Sequence, residues 1–261
     1  MQQSIDGVII KERDIGEDDK VLTILTRQYG LMEAFARGVR RMKSKLSAAC
    51  GVFCYSDFVL YKGRNQVIVN SADLKSGFFG IRYDLVKTAL AFYLSDITAA
   101  IAAENEESQE LLRLYLNSLH LLEKGQKPNE LIKAVYELRG LCIFGVMPHL
   151  SSCGECDASF ANEEGFFDLQ SGTIYCRACA EHQKNAHAMK RISPRIRAAV
   201  QYIAVSEMDK LWRLQPQGEE MRELSEICEE YLHSQLSRSF GTLDFYKQLL
   251  LPLSEDKNKE E

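Results

Sequence analysis

Cys153, Cys156, Cys176 and Cys179 follow the pattern C-x2-C-x19-C-x2-C. Each C-x2-C hook puts two thiolates on one tight turn, and two hooks supply the four sulfurs of a tetrahedral zinc shell. Four thiolates leave no open position for water, so the expected chemistry is one structural Zn2+ and not a catalytic metal. Asp157 to Tyr175 is long enough to go out and return as a hairpin. Phe166-Phe167 and Thr173-Ile174-Tyr175 read as its strands, with a turn at Gln170-Ser171-Gly172. A redox-active C-x-x-C and a pair of disulfides are the competing chemistries. One metal explains two matched hooks better than a redox pair does. The opening MQQSIDGVIIKERD carries charges where a secretory signal needs an apolar core, and disulfides are not expected in a reducing cytosol. Cys50, Cys54, Cys142 and Cys228 lie in apolar contexts without ligand spacing and read as small buried hydrophobes. His149 and His182 flank the hooks, but four cysteines already satisfy a metal.

A second chemistry is offered by Arg37-Gly38-Val39-Arg40-Arg41-Met42-Lys43-Ser44-Lys45. Five cations fall in nine residues, and no acid occurs between Glu33 and Asp57. A cationic loop beside a barrel groove is an electrostatic track for a phosphate backbone. A loop charged only for solubility would mix signs. Were Arg37, Arg40, Arg41, Lys43 and Lys45 all to meet phosphates, log K would fall with log salt at a slope of roughly −3 to −4 on single strands. A second basic run, Lys184, Lys190, Arg191, Arg195 and Arg197, is acid-free from His182 to Ser206. It either extends that track, with Lys190 and Arg191 as its contacts, or forms an ordinary exposed helix face. Asp14, Glu17, Asp18 and Asp19 could hold magnesium, although a polar turn is the simpler reading. Phe35, Phe53, Tyr55, Phe58, Tyr61 and Tyr83 could stack on bases. In a small barrel most aromatics are core, and none is assigned. Period-2 spacing puts Phe53, Tyr55 and Tyr61 on one face and Phe58 and Leu60 on the other, without saying which is wet. No phosphate-cradling G-x-x-x-x-G-K-[ST], no H-E-x-x-H and no G-x-S-x-G occurs, which moves the reading from enzyme towards binding protein.

These residues need a scaffold, and 261 residues suffice for two modest domains. The longest apolar stretch, Ala89 to Ala103, is broken by Asp96 and too short for a membrane span. Net charge is −5, but residues 1–80 carry +3 and the remainder −8, so the first part is the candidate for touching phosphate. Ile5 to Glu12, Val21 to Thr26, Leu31 to Ala36, Val52 to Tyr61 and Gln66 to Asn70 read as strands punctuated by glycines, with a hairpin turn at Lys62-Gly63-Arg64-Asn65. Five strands in that length suggest a small closed barrel, of which the oligonucleotide-binding (OB) barrel is the commonest. Helical period takes over at Leu85. It runs through Leu85, Ala89, Phe92 and Ile97, then Leu111, Leu114, Leu119 and Leu122, then a helix opened by Pro128. After the cysteine segment, Ser193-Pro194 starts another helix and Gly218-Glu219-Glu220 the next, to about Leu236. Thr242 is expected to cap a last short one. The fold class expected is α+β. Its parts are an OB barrel (1–80), a helical domain in two pieces (81–150 and 184–252), a four-cysteine zinc insertion between them (151–183) and a charged tail (253–261).

The run D-G-V-I-I-K-E-R-D-I-G-E-D-D-K-V-L-T-I-L-T-R-Q-Y-G-L-M-E-A-F-A-R-G-V-R-R-M-K-S-K-L resembles the opening of the bacterial RecO family of DNA repair proteins. Y-E-L-R-G-L-C-I-F-G-V-M-P-H-L-S-S-C-G-E-C is similar to that family's entry into its zinc segment. The likeness covers Asp6 to Leu46 and Tyr136 to Cys179 closely. It implies a non-enzymatic recombination mediator that binds single- and double-stranded DNA and anneals complementary strands. It further implies contacts with the single-stranded DNA-binding protein and, with RecR, help in loading RecA onto coated strands. Cytoplasmic, nucleoid-associated localisation follows from the same likeness. So does a role for Arg139 in receiving the acidic tail of the single-stranded DNA-binding protein, although an arginine paired on a helix surface is the plainer account. Some family members have lost their cysteines, whereas this chain keeps all four. The alternatives are a zinc-containing protein–protein adaptor without direct DNA binding, which predicts no salt-sensitive DNA affinity, and a thiol oxidoreductase, which predicts a reactive thiolate without tightly bound zinc.

Overall fold

The computed structural model describes residues 2–63, 66–160 and 162–251. Arg64 and Asn65 of the expected hairpin turn lie outside the described residues, as does the tail at 253–261. Five strands open the chain: β1 (Gln2–Ile15), β2 (Asp19–Thr26), β3 (Gly30–Ala36), β4 (Tyr55–Lys62) and β5 (Val67–Ser76). They close into a barrel in the order β1-β2-β3-β5-β4. β1 makes closure possible because it is long and bends at an irregularity between Ile9 and Lys11. Its first half pairs with β4 and its second half with β2. A parallel bridge between Phe35 and Ile68 completes the ring. This is the strand order expected of the OB barrel, so the α+β reading with an N-terminal five-stranded barrel holds.

Alternation decides what the barrel encloses. Ile5, Ile9, Leu22, Ile24, Ala34, Phe58, Leu60 and Val69 fill the interior. Thus Phe58 and Leu60 mark the dry face of β4, while Tyr61 points to solvent. Phe53 does not share a strand face with Tyr55. It precedes β4, with φ 67°, and its ring lies 5.0 Å from Phe92. The triplet Val8-Ile9-Ile10 is buried throughout because β1 is covered on both sides: Ile9 faces the barrel, and Val8 and Ile10 face the helices.

The helical body begins with α1 (Leu85–Ile101), whose first turn is capped by Asp84 accepting from the Lys87 N–H. α2 (Gln109–Lys124) and α3 (Asn129–Phe144) each end on a glycine in the left-handed region, Gly125 and Gly145. α3 is buried almost all round and packs against α1 and α2 and, later in the chain, α5 (Pro194–Val205) and α6 (Glu219–Leu236). Ser193 caps α5 as expected, accepting from the Ile196 N–H. The expectation for Thr242 is corrected. α7 (Gly241–Leu250) is preceded by Phe240 as cap, and the Thr242 hydroxyl instead donates to Asp96 on α1 at 2.8 Å.

Between α3 and α5 the expected hairpin forms from β6 (Gly165–Asp168) and β7 (Thr173–Tyr175), with α4 (Arg177–Glu181) after it. A third strand, β8 (Lys190–Ile192), pairs with β6 and gives the order β7-β6-β8. The sequence reading carries this stretch straight into the next helix. The small sheet sits on α6 through Phe167 against Tyr231, 5.4 Å between ring centres, and through Gln235 donating to the Leu169 carbonyl at 2.7 Å.

The barrel is stitched to the body by backbone. The N–H groups of Leu31, Asn105 and Ser108 donate to Ala103, Tyr29 and Arg27. Gly30 is required at this seam, since its φ is +59° and a Cβ would stand 1.9 Å from the Ala103 carbonyl oxygen.

Candidate metal centre and cationic loop

Folding brings all four hook cysteines together. Their Sγ atoms lie within 4.8 Å of one another, and those of Cys156 and Cys176 are 3.9 Å apart. A zinc ion with Zn–S bonds of about 2.3 Å requires a tetrahedral S···S edge of about 3.8 Å. The hooks are held by backbone. Cys153 N–H donates to Ala158, and Gly154 N–H to Ile174 on β7. His149 exchanges both backbone hydrogen bonds along that strand, with Gly172 and Ile174. Gly154 lies so close to β7 that a Cβ would stand 2.3 Å from Thr173 Cγ2. Cys176 N–H points at Cys153 Sγ at 3.4 Å. Burial works against a Cys153 thiolate, but N–H groups of Cys156, Cys176 and Glu155 outweigh it and bring the thiol down to about 6. The Cys179 thiol is pushed the other way, first by Cys176 and then by Cys156. Four crowded sulfurs of this kind suit a soft tetrahedral cation. His149 is instead 3.3 Å from the Ser152 hydroxyl, and His182 ends α4, so neither joins the cluster.

The other cysteines stay apart from this chemistry. Cys50, Cys54 and Cys228 are buried and Cys142 is half-buried. Burial pushes the Cys50 thiol up to about 12 and Cys142 to about 11.

The cationic segment 37–45 is the loop after β3, and its five cations are exposed. It does not stand free. The acidic turn between β1 and β2 docks against its base. Asp19 accepts from the Gly38 N–H at 2.7 Å, and the Asp18 carbonyl accepts from the Arg40 N–H at 3.0 Å. Arg40 pairs with Asp14 at 3.3 Å and Arg41 with Asp18 at 2.8 Å. Arg41 donates through Nε to the Asp18 carboxylate, which raises the pKa of the guanidinium. The acidic turn therefore holds two arginine side chains and two backbone amides. Among the described residues, Arg37, Lys43 and Lys45 have no ion pair.

Three cations of the second basic run pair with acids elsewhere in the chain. Lys190 meets Glu230 at 2.7 Å, Arg191 donates through Nε to Glu164 at 2.7 Å, and Arg195 meets Glu220 at 2.6 Å. Arg197 lies across the Phe160 ring at 4.7 Å and donates to the Glu163 carbonyl. Arg139, half-buried on α3, donates through Nη1 to the Ala204 carbonyl near the end of α5, while its buried Nε meets no acceptor. Sequence reasoning misses one polar centre altogether. Lys133 on α3 is almost fully buried and pairs with Glu137 at 2.9 Å and Glu229 at 2.8 Å, and the Tyr93 hydroxyl donates to Glu137 at 2.7 Å. The signal was a Lys–Glu pair four residues apart among the apolar positions of α3.

Comparison with known proteins bears on both the barrel and the cysteine segment. Residues 1–78 match the family profile described as "Recombination protein O N terminal", and residues 82–244 match "Recombination protein O C terminal". A relative from Acetivibrio thermocellus named DNA repair protein RecO is 35% identical over 243 residues, 93% of this chain and 95% of that protein. Proteins of the same name from Desulforamulus reducens and Alkaliphilus metalliredigens are 32% and 30% identical, each over 94% of this chain and over 94% and 98% of their own lengths.

Proposed function

The chain belongs to the RecO family of DNA repair proteins, and from that premise we propose that it binds single- and double-stranded DNA and anneals complementary strands. With RecR it helps load RecA onto strands coated by the single-stranded DNA-binding protein. The observation that carries this reading is the exposed, acid-free loop of five cations beside a closed five-stranded barrel. Opposing phosphate backbones repel. Cations on a shared rim lower that repulsion and let two strands lie side by side. Arg37, Lys43 and Lys45 are ready to meet phosphate, whereas Arg40 and Arg41 must exchange Asp14 and Asp18 for it. Exposed pairs of this kind are worth only about 0.2–1 kcal/mol, but each keeps its arginine neutralised until a phosphate displaces the carboxylate. Lys190 and Arg191 would extend the track after a similar exchange with Glu230 and Glu164.

The four cysteines would hold one zinc ion. Bound there, the metal cross-links the two hooks and contributes folding energy without chemistry on DNA. The barrel, the helical pieces and the zinc insertion act on this reading as separate modules of a cytoplasmic, non-catalytic mediator. Arg139 is the proposed receiver of the acidic tail of the single-stranded DNA-binding protein, because its half-buried guanidinium has no ion pair among the described residues. A tail peptide titrated against the wild type and Arg139→Ala tests that contact, and equal affinities would remove it.

Fluorescence titration of a single-stranded oligonucleotide at two ionic strengths tests the central reading. Binding that weakens steeply with salt, together with slower annealing when Arg37, Lys43 and Lys45 become alanine, is the expected result. Salt-independent or undetectable binding would leave a zinc-containing adaptor that touches only proteins.

A further inference from the structure

The loop at 37–45 is built as a pedestal with a bare apolar tip. Its two feet, Val39 and Leu46, pack against the barrel core. The acidic turn pins the stem at Gly38, Arg40 and Arg41, twice through the loop's backbone amides and twice through its side chains. Two turns then close the segment, Arg41 N–H to the Gly38 carbonyl and Ser44 N–H to the Arg41 carbonyl. Met42 stands at the head of the second turn, 100% exposed, with Arg41 and Lys43 on either side.

Single exposed apolar side chains are ordinary on protein surfaces. Met42 differs because the loop beneath it is ordered from both ends, and that order serves to hold an apolar group in water among cations. Phosphate needs no apolar neighbour. A nucleobase does, and an unbranched thioether adapts to the irregular gap between two bases. Apolar wedges between base steps are a general device for unstacking a strand while flanking cations hold its phosphates.

We propose that Met42 is a base-contacting wedge: Lys43, Lys45 and Arg37 seat the phosphates of a strand, and the Met42 side chain enters between adjacent bases. This deepens the reading of the loop as a DNA interface and rests on it. Opening one base step displays the separated bases for pairing, which links the wedge to annealing.

The test uses a single-stranded oligonucleotide carrying 2-aminopurine, whose fluorescence rises on unstacking, with inorganic polyphosphate as a polyanion without bases. Wild-type protein should raise the fluorescence on binding. Met42→Ala should abolish that rise and weaken oligonucleotide binding about fivefold to tenfold, with the salt slope unchanged, and Met42→Leu should restore both. Polyphosphate should bind all three proteins alike, which a collapsed loop would not allow. A Met42→Ala protein equal to wild type in fluorescence and affinity overturns the wedge alone, as does a variant that loses polyphosphate equally. A wild type with no salt-sensitive affinity for the oligonucleotide overturns the DNA interface itself, and the wedge with it.

Discussion

Lys43 and Lys45 differ from Arg40 and Arg41 in what they already touch, and that difference sets a measurable number. Five cations free to meet phosphate imply a single-strand salt slope near −3.5, at about −0.7 for each. With Arg40 and Arg41 committed to Asp14 and Asp18, three remain, and the expected slope is about −2. Binding measured between low and moderate salt checks this, and a slope near −3.5 would mean that DNA displaces both carboxylates. Asp18→Asn should then bind more tightly and steepen the slope by about 0.7, because it releases Arg41. The cluster of four cysteines was legible in sequence because hook spacing is local: each hook is closed within four residues. The clamp was not legible, since Asp18 and Arg41 are joined only after β2 and β3 pair and carry their turns to the same end of the barrel.

At the scale of elements, the cysteine segment and the barrel seam each hold a glycine whose neighbours leave no room for a side chain, Thr173 at Gly154 and the Ala103 backbone at Gly30. Gly30→Ala would put a methyl 1.9 Å from the Ala103 carbonyl oxygen at a positive φ. It should cost roughly 1–3 kcal/mol, read as a lowered midpoint in urea with the far-ultraviolet helix signal kept until unfolding. Cys176→Ser should remove one of the four candidate ligands at the junction of β7 and α4. The expected result is zinc content falling from about one per chain towards zero, with a lower thermal midpoint that added zinc does not restore. A chelator should lower the wild-type midpoint and leave the variant's unchanged. Most elements were legible because β-branched and aromatic runs, a serine–proline start and glycine stops are local signals. β8 was not. Lys190-Arg191-Ile192 is three residues long, two of them cationic, and becomes a strand only because β6 offers an open edge. Thr242 carries a capping residue's chemistry, yet its hydroxyl is drawn to Asp96, so tertiary contact overrides the local preference.

At the scale of the whole molecule, α3 must bind the body together while carrying charge. Lys133 and Glu137 sit on the one helix that touches α1, α2, α5 and α6, and Glu229 reaches them from α6. Burial pushes Glu137 upward even beside Lys133, while Glu229, though partly buried, is pulled below the ordinary glutamate range by Lys133 and Lys247. Glu229 is therefore the carboxyl of this centre whose ionisation the fold favours. A carboxyl depressed in the folded state stabilises the fold above its unfolded pKa, near 4.3, and loses that contribution as pH falls through the folded value. Lys133→Met removes the cation from two carboxylates that have little water, so it should cost about 3–5 kcal/mol, and the acid-side loss of stability should flatten. Adding Glu137→Leu removes the buried carboxyl, which the first change leaves with the Tyr93 hydroxyl as partner, and should recover a large part of the loss, since replacing a buried pair by apolar side chains is often near neutral. A double-mutant cycle by urea denaturation measures both steps. Single variants whose costs simply add would mean that Lys133 and Glu137 do not stabilise one another, and that α3 is held by its apolar faces alone.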